Sequence, residues 1–195
     1  MGITVRPLTG GEIAAALDDL AHLRIRVFAA YPYLYDGDVA YEADYLREFL
    51  AAPDGVLVAA MDGEQIVGAA TASPMAAQKP EFQAPFVERG MDVSHLFYFG
   101  ESVLLPAYRG QGIGHAFFDL REAQAMRCGA RAATFAAVIR PLDHPARPAD
   151  YTSLDAFWRR RHYAPVKDWV TGLAWKEHGE QRESVKPMQY WLRTF

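Results

Sequence analysis

Apolar residues recur along this chain with two periods, one near two and one near 3.6, and each change of period marks a new element. Residues 3–8, Ile-Thr-Val-Arg-Pro-Leu, alternate as a short strand does. Thr9 followed by Glu12 is a capping-box pattern, and the stripe Ile13, Leu17, Leu20, Val27 and Phe28 predicts one helix that stops at Tyr31-Pro32-Tyr33. An aromatic, acidic loop runs on to Gly37. A second helix is predicted over residues 41–50, with Tyr45, Leu46, Phe49 and Leu50 near one face, and Pro53-Asp54-Gly55 breaks it. Residues 56–61 and 65–72 read as two strands of an antiparallel hairpin turning at Asp62-Gly63. The proline-rich stretch 74–90 shows no period and reads as an irregular loop with at most a helical turn. Residues 96–105 form a long apolar strand. Ile113, Phe117, Leu120 and Ala123 then mark a helix ending near Gly129, and residues 132–139 form another buried strand. This strand-helix-strand unit implies a parallel pair with a ligand at its carboxyl edge. A long loop over 140–151, a helix over 153–161 opened by Thr152 with Asp155, and strands over 167–176 and 186–193 complete the chain.

Length and composition narrow the class. With 195 residues, 51% of them hydrophobic, the chain can bury one substantial core, and a single domain over 1–195 is expected. A net charge of −4 argues against a nucleic-acid partner, and Arg159-Arg160-Arg161 is too short a basic run to reverse that. The lone Cys128 excludes an intramolecular disulfide and suits a reducing compartment. The histidines lack metal-ligand spacing, so no metal is expected. No secretory leader or membrane-length apolar run is present, so no membrane partner and a cytoplasmic location are expected. The oligomeric state is open, a homodimer included.

The most informative segment is Leu104-Leu105-Pro106-Ala107-Tyr108-Arg109-Gly110-Gln111-Gly112-Ile113-Gly114-His115, which joins the apolar strand to the following helix. Glycines at alternate positions allow close approach of a ligand to the backbone, and a helix start adds unpaired N–H groups and a positive dipole end. A dinucleotide fingerprint would need Gly-x-Gly-x-x-Gly in an early strand-helix unit, and a P-loop would need Gly-Lys-Ser/Thr; neither is present. The spacing Arg-x-x-Gly-x-Gly instead resembles the acetyl-coenzyme A signature of the GCN5-related N-acetyltransferase (GNAT) superfamily. The predicted order β-α-α-β-β-β-α-β-α-β-β resembles it over nearly the whole chain.

The resemblance implies an α/β (α+β) fold, a mixed, centrally splayed sheet of about seven strands with helices on both faces. It implies that acetyl-coenzyme A is a cosubstrate whose pantetheine arm lies along the backbone of Ser102, Val103 and Leu104. The diphosphate would be held by Gly110, Gln111, Gly112, Ile113, Gly114 and His115, with Arg109 either adding charge to it or forming a surface ion pair. Direct transfer to a primary amine of a small molecule is then expected. A non-catalytic acyl-coenzyme A sensor, a protein N-acetyltransferase and an interaction protein using the Tyr31–Tyr35 loop are the alternatives.

Tyr98 falls where several superfamily members carry a general base, and Glu101 is the nearest acid on that strand, either catalytic, or facing solvent at a strand irregularity, or paired with a loop arginine. Residues 157–163 resemble the family's closing motif with two departures. Trp158 replaces the tyrosine that protonates the thiolate, and His162 replaces a glycine. Tyr163 and Tyr151 are the remaining acid candidates, each equally readable as packing. His144 is a candidate base or a solvated loop residue. Cys128 is expected to be an inert, packed thiol. Arg140 and Arg147 could recognise a carboxylate, and Asp36, Asp38, Glu42 and Asp44 a cationic amine, or all six could be ordinary surface charge.

Overall fold

The computed structural model describes residues 2–195, and all their side chains except those of Glu48 and Leu50. The expected apolar contribution of Leu50 therefore lies outside the described residues. Seven strands form one sheet: β1 (Thr4–Pro7), β2 (Val56–Asp62), β3 (Gln65–Pro74), β4 (Leu96–Leu104), β5 (Ala132–Val138), β6 (Ala164–Trp175) and β7 (Ser184–Thr194). Their order is β1-β2-β3-β4-β5-β7-β6, and every neighbouring pair is antiparallel except β4 with β5.

Six α-helices accompany the sheet: α1 (Gly10–Ala15), α2 (Leu17–Phe28), α3 (Val39–Leu50), α4 (Pro80–Val87), α5 (Ile113–Arg127) and α6 (Asp155–Arg160). The first predicted helix is thus two. Ala16, at φ −103° and ψ 9°, leaves helical geometry while Ile13 and Leu20 on either side stay buried, so the apolar stripe runs across the break. The stretch expected to be an irregular loop holds α4. It starts on Pro80, which suits a first turn, and buries Phe86 one turn after Phe82; eight residues with an internal Pro85 hide that period. Thr152 does not cap α6. Leu154 occupies that position, and the Ser153 hydroxyl accepts the Asp155 N–H at 3.2 Å. β6 begins three residues before its predicted start, and a register shift between Pro165 and Val170, with Asp168 at φ 62°, interrupts its alternation.

The two faces of the sheet can be read from β4. Phe99 points to α5, where its ring lies 5.8 Å from that of Phe118, whereas Tyr98 points the opposite way and meets Phe82 of α4 at 5.4 Å. α6 joins α5 through Phe157 and Phe118, and α2 and α3 lie on the Tyr98 face. The strands β4 and β5 pair only through Leu96–Tyr98 and Ala132–Thr134, although β5 stays paired with β7 from Ala132 to Val138. Immediately beyond the last pair stand Phe99 and Phe135. Tyr163 packs between them, at 6.2 and 5.2 Å, and Phe118 closes the cluster from α5. The pairing of β4 with β5 ends where this cluster begins. The sheet splays there.

The capping box at α1 is formed as predicted: Thr9 N–H donates to Glu12 at 2.7 Å and Glu12 N–H to the Thr9 hydroxyl at 3.3 Å. The Glu12 carboxylate also binds Arg6, and the Arg6 and Thr9 bonds lower its pKa from the usual 4.5 to about 2. A carboxylate lowered on folding stabilises above its unfolded pKa and loses that contribution as pH falls through the folded one. Glu12→Gln is therefore expected to lower Tm relative to wild type at pH 6, with the difference vanishing by about pH 2; thermal melts at a series of pH values check this.

Candidate active site

Between Ala70 and Ala72 the pairing of β3 with β4 slips, so that Thr71 alone faces Gly100 and Glu101. This bulge sends two consecutive residues of β4 to the same face. The Thr71 hydroxyl accepts the Glu101 N–H at 3.2 Å, and a Cβ on Gly100 would come within 2.6 Å of that hydroxyl, so glycine is required there.

Two buried groups hold the bulge from opposite faces. From α5, Arg121 (1% exposed) donates to the Thr71 and Glu101 carbonyls at 3.3 and 3.2 Å, to the Ser102 hydroxyl at 2.9 Å and back to the Phe117 carbonyl at 3.2 Å. Its guanidinium also lies over the rings of Phe99 and Phe118. Desolvation lowers its pKa to about 10, so it remains a cation at neutral pH. From the other face, Arg24 of α2 pairs with both Glu42 and Glu101, the Tyr45 hydroxyl donates to Glu101 at 3.1 Å, and the Tyr35 hydroxyl donates to Glu42 at 2.6 Å. Burial works against the Arg24 cation, but Glu101, Tyr45 and Glu42 outweigh it and raise its pKa. Burial together with Glu101 raises Tyr45, and burial together with Glu42 raises Tyr35. Arg24 and Arg121 escaped the sequence reading because each sits in an ordinary amphipathic helix, where an arginine reads as a surface residue, and Tyr45, placed on an apolar face, read as packing alone.

Beyond the bulge the β4 edge from Phe99 to Leu104 has no strand partner on the β5 side among the described residues. The chain then passes through a 3-10 turn (Pro106–Tyr108) into the glycine segment, where Gly110 and Gly112 take φ +77° and +81°. At those angles any other residue would be strained. Among the described residues none of the N–H groups of residues 110–114 donates a hydrogen bond; the first that does is His115, to Gly112. Ser102, Val103 and Leu104 and the N–H groups of residues 110–114 thus lie on either side of one 3-10 turn. Arg109 is exposed at its start.

The ionisable candidates separate. Tyr98, 6% exposed, is the last β4 residue paired with β5 and lies on the Glu101 face; burial above all raises its pKa well above the ordinary value, so it is a neutral donor. Tyr163, 1% exposed, lies in the aromatic cluster on the opposite face with its hydroxyl donating to Glu122 at 3.2 Å, and burial and Glu122 raise its pKa. His144 faces Tyr31 at 5.6 Å, and its Nδ1 accepts the Ala146 N–H at 3.2 Å, so its neutral ring carries the proton on Nε2.

Several proposed contacts are already engaged inside the protein. Arg140 donates to the Pro32 and Tyr33 carbonyls at 2.7 and 3.2 Å and pairs with Glu177. Asp36 pairs with Lys176, Asp44 with Arg47, and Asp38 accepts the Tyr41 N–H. Arg147 lies over the Tyr151 ring, which itself meets Tyr31 at 4.7 Å. Cys128 is exposed at the end of α5 rather than packed, and partial burial still pushes its thiol up. His162 adopts φ 65°, which explains why glycine is the residue expected there, and Trp158 packs against Phe135 and Trp191. Among the described residues no group of three or more His, Cys, Asp or Glu could hold a metal ion, and no helix is long and apolar enough to cross a membrane.

The bulge geometry predicts that Arg121→Met, which leaves two carbonyls and a hydroxyl without their donor, destabilises by about 3 kcal/mol or more. Urea unfolding measures this; an unchanged midpoint would remove Arg121 from its holding role.

Comparison with known proteins gives a consistent picture. The model of the acetyltransferase (GNAT) family matches residues 19–149, whereas no curated protein matches the chain. Among solved structures, a ribosomal-protein-alanine N-acetyltransferase from Brucella melitensis superposes with TM-score 0.65 at 13% identity, covering 98% of this chain and 99% of that one. An aminoglycoside 6'-N-acetyltransferase complexed with coenzyme A gives 0.59 at 17%, covering 100% and 97%. The acetyl-CoA complex of yncA from Salmonella typhimurium gives 0.57 at 12%, covering 100% and 94%. At these identities the likeness is one of fold.

Proposed function

The chain belongs to the acetyltransferase (GNAT) family, and from that premise we propose that it transfers an acetyl group from the thioester of acetyl-coenzyme A directly to the primary amine of a small molecule. The observation that carries this reading is the unpaired β4 edge followed, after one 3-10 turn, by the five undonated N–H groups of residues 110–114. An extended amide-bearing arm can add to the edge as a strand would, and a diphosphate suits a turn of free N–H groups at a helix start. Two solved neighbours bound to coenzyme A or acetyl-CoA support the choice of cosubstrate.

On this reading the thioester lies at the apex of the splay, beside the bulge. The acceptor amine attacks the carbonyl carbon as a neutral base, the C–S bond breaks, and the thiolate must gain a proton while the new ammonium loses one. Glu101 is assigned to the amine: with Arg24 shared between Glu42 and Glu101, the cluster carries a net charge of −1 that attracts an ammonium and receives its proton. Tyr98 is assigned to the thiolate, as a phenol kept protonated by burial on the same face. Tyr163 is left as the wedge of the splay, since its hydroxyl serves Glu122 on the far face. His144 is left with its place beside Tyr31 and its bond to the Ala146 N–H, and no step is assigned to it.

Thiol release over a panel of small amines is expected to show turnover, with kcat falling roughly a hundredfold in Tyr98→Phe while coenzyme A affinity holds. Gly112→Val is expected to weaken coenzyme A binding by about tenfold or more, because its φ strains any side chain. Tight cofactor binding without turnover on any amine would instead establish a sensing module.

A further inference from the structure

Where the 140–151 loop meets the Tyr31–Tyr35 loop, four hydrogen-bond donors gather, and none of them has an acceptor among the described residues. The ring of Tyr31 lies 4.7 Å from that of Tyr151 and 5.6 Å from that of His144, and the guanidinium of the half-buried Arg147 lies 4.8 Å over the Tyr151 ring. The Tyr31 hydroxyl is sealed from water with no partner, which is costly. The Nδ1 of His144 is taken by the Ala146 N–H, so its Nε2–H is the free donor. A guanidinium stacked on a ring keeps its in-plane N–H groups available to an acceptor. Successive turns hold these side chains in place: the Arg147 N–H donates to the His144 carbonyl at 2.9 Å and the Tyr151 N–H to the Pro148 carbonyl at 3.1 Å. The loop's own acids, Asp143 and Asp150, are exposed and, among the described residues, pair with none of the four donors.

A set made of donors alone fits a ligand made of acceptors alone, and a carboxylate offers two oxygens to a guanidinium fork with lone pairs left for hydroxyls. The place of the cluster says what bears that carboxylate. Tyr33, two residues after Tyr31, has its pKa raised by burial first and then by Tyr151 and Glu101, so its phenol lies within electrostatic reach of both the donor cluster and the acid. Its ring also meets that of Phe28 at 4.8 Å, and Phe28 lies under the guanidinium of Arg24, the partner of Glu101. Arg140 fastens the two loops together through Pro32 and Tyr33 and is spent in doing so, whereas Arg147 forms no ion pair among the described residues. An acid on one side of Tyr33 and a cation with three neutral donors on the other complement a zwitterion. We infer that Arg147, the hydroxyls of Tyr31 and Tyr151 and the Nε2–H of His144 form a carboxylate subsite, and that the acceptor is an amine that also carries a carboxylate, an amino acid. The inference rests on the amine-acceptor reading above, but the two fail separately.

Thiol release by the full chain, measured on pairs of amines that differ only in the carboxylate, tests it. Phenylalanine against phenethylamine places the two groups on one carbon, and 6-aminohexanoate against pentylamine places them far apart. In at least one pair kcat/KM is expected to be roughly tenfold or more higher for the carboxylate-bearing member. Arg147→Met, which keeps an apolar side chain over Tyr151, is expected to reduce that ratio below about threefold, and Arg147→Lys to restore part of it. Tyr31→Phe removes only the sealed hydroxyl and is expected to lower the ratio about threefold; if neither it nor Arg147→Met changes the ratio, the subsite is overturned. Equal use of both members, or preference for the amine without a carboxylate, overturns the subsite and leaves the transferase reading standing. If no amine is turned over, the transferase reading fails, and calorimetric titration of the coenzyme A complex with phenylacetate decides the subsite: binding that Arg147→Met abolishes supports it, and absence of binding overturns it.

Discussion

A guanidinium sealed inside the protein without a carboxylate partner is costly, and it persists only where surrounding dipoles and rings replace water. Arg121 is held in this way by three backbone carbonyls, a hydroxyl and two aromatic faces. Its hydrogen bonds end on Thr71, Glu101 and Ser102, the residues that define the bulge of β4. The irregular strand is therefore fixed by a buried cation whose acceptors are the strand's own carbonyls and hydroxyl. The aromatic cluster of Phe99, Phe118, Phe135 and Tyr163 acts beside it, keeping β4 and β5 from closing.

The opposite face carries the complementary arrangement. There Glu101 emerges from the bulge into a buried network with Arg24, Glu42, Tyr35 and Tyr45. Every member has a fixed partner within the network, so the carboxylate has little freedom to rotate. One strand thus presents a rigid acid to one side and its backbone edge to the splay, and both follow from a single extra residue in β4. The placement of chemistry on a scaffold irregularity, rather than on a loop, gives the acid a fixed position relative to the open edge.

How legible this was depended on the range of the interaction. The strands, the hairpin at Asp62-Gly63, the capping box at Thr9 and the glycine turn are local, written in residues a few positions apart, and all seven strands and the splayed sheet are found as expected. Helix α4 was hidden by its length and its prolines, and the break at Ala16 by an apolar stripe that ignores it. In the site, the turn at 110–114 was readable because φ above zero demands glycine. Glu101 stood out as an acid in an apolar run, but its partners Arg24 and Tyr45 lie 77 and 56 residues away, beyond any periodic signal. The acidic loop read as bait for a cation was, in the folded chain, mostly paired with lysine, arginine or backbone. Sequence shows that charges exist; only folding shows which remain unspent.

Arg140 has a consequence of another kind. By grasping Pro32, Tyr33 and Glu177 at once, it fastens together three connections that belong to α2, β5 and the β6–β7 turn. Connections on a protein surface ordinarily diverge one at a time, since each tolerates insertions without consulting the others. Here a lengthened segment in any one of them would pull the shared rivet loose. Descendants of this chain that lengthen one of these loops would have to remodel all three in concert, or first discard the arginine.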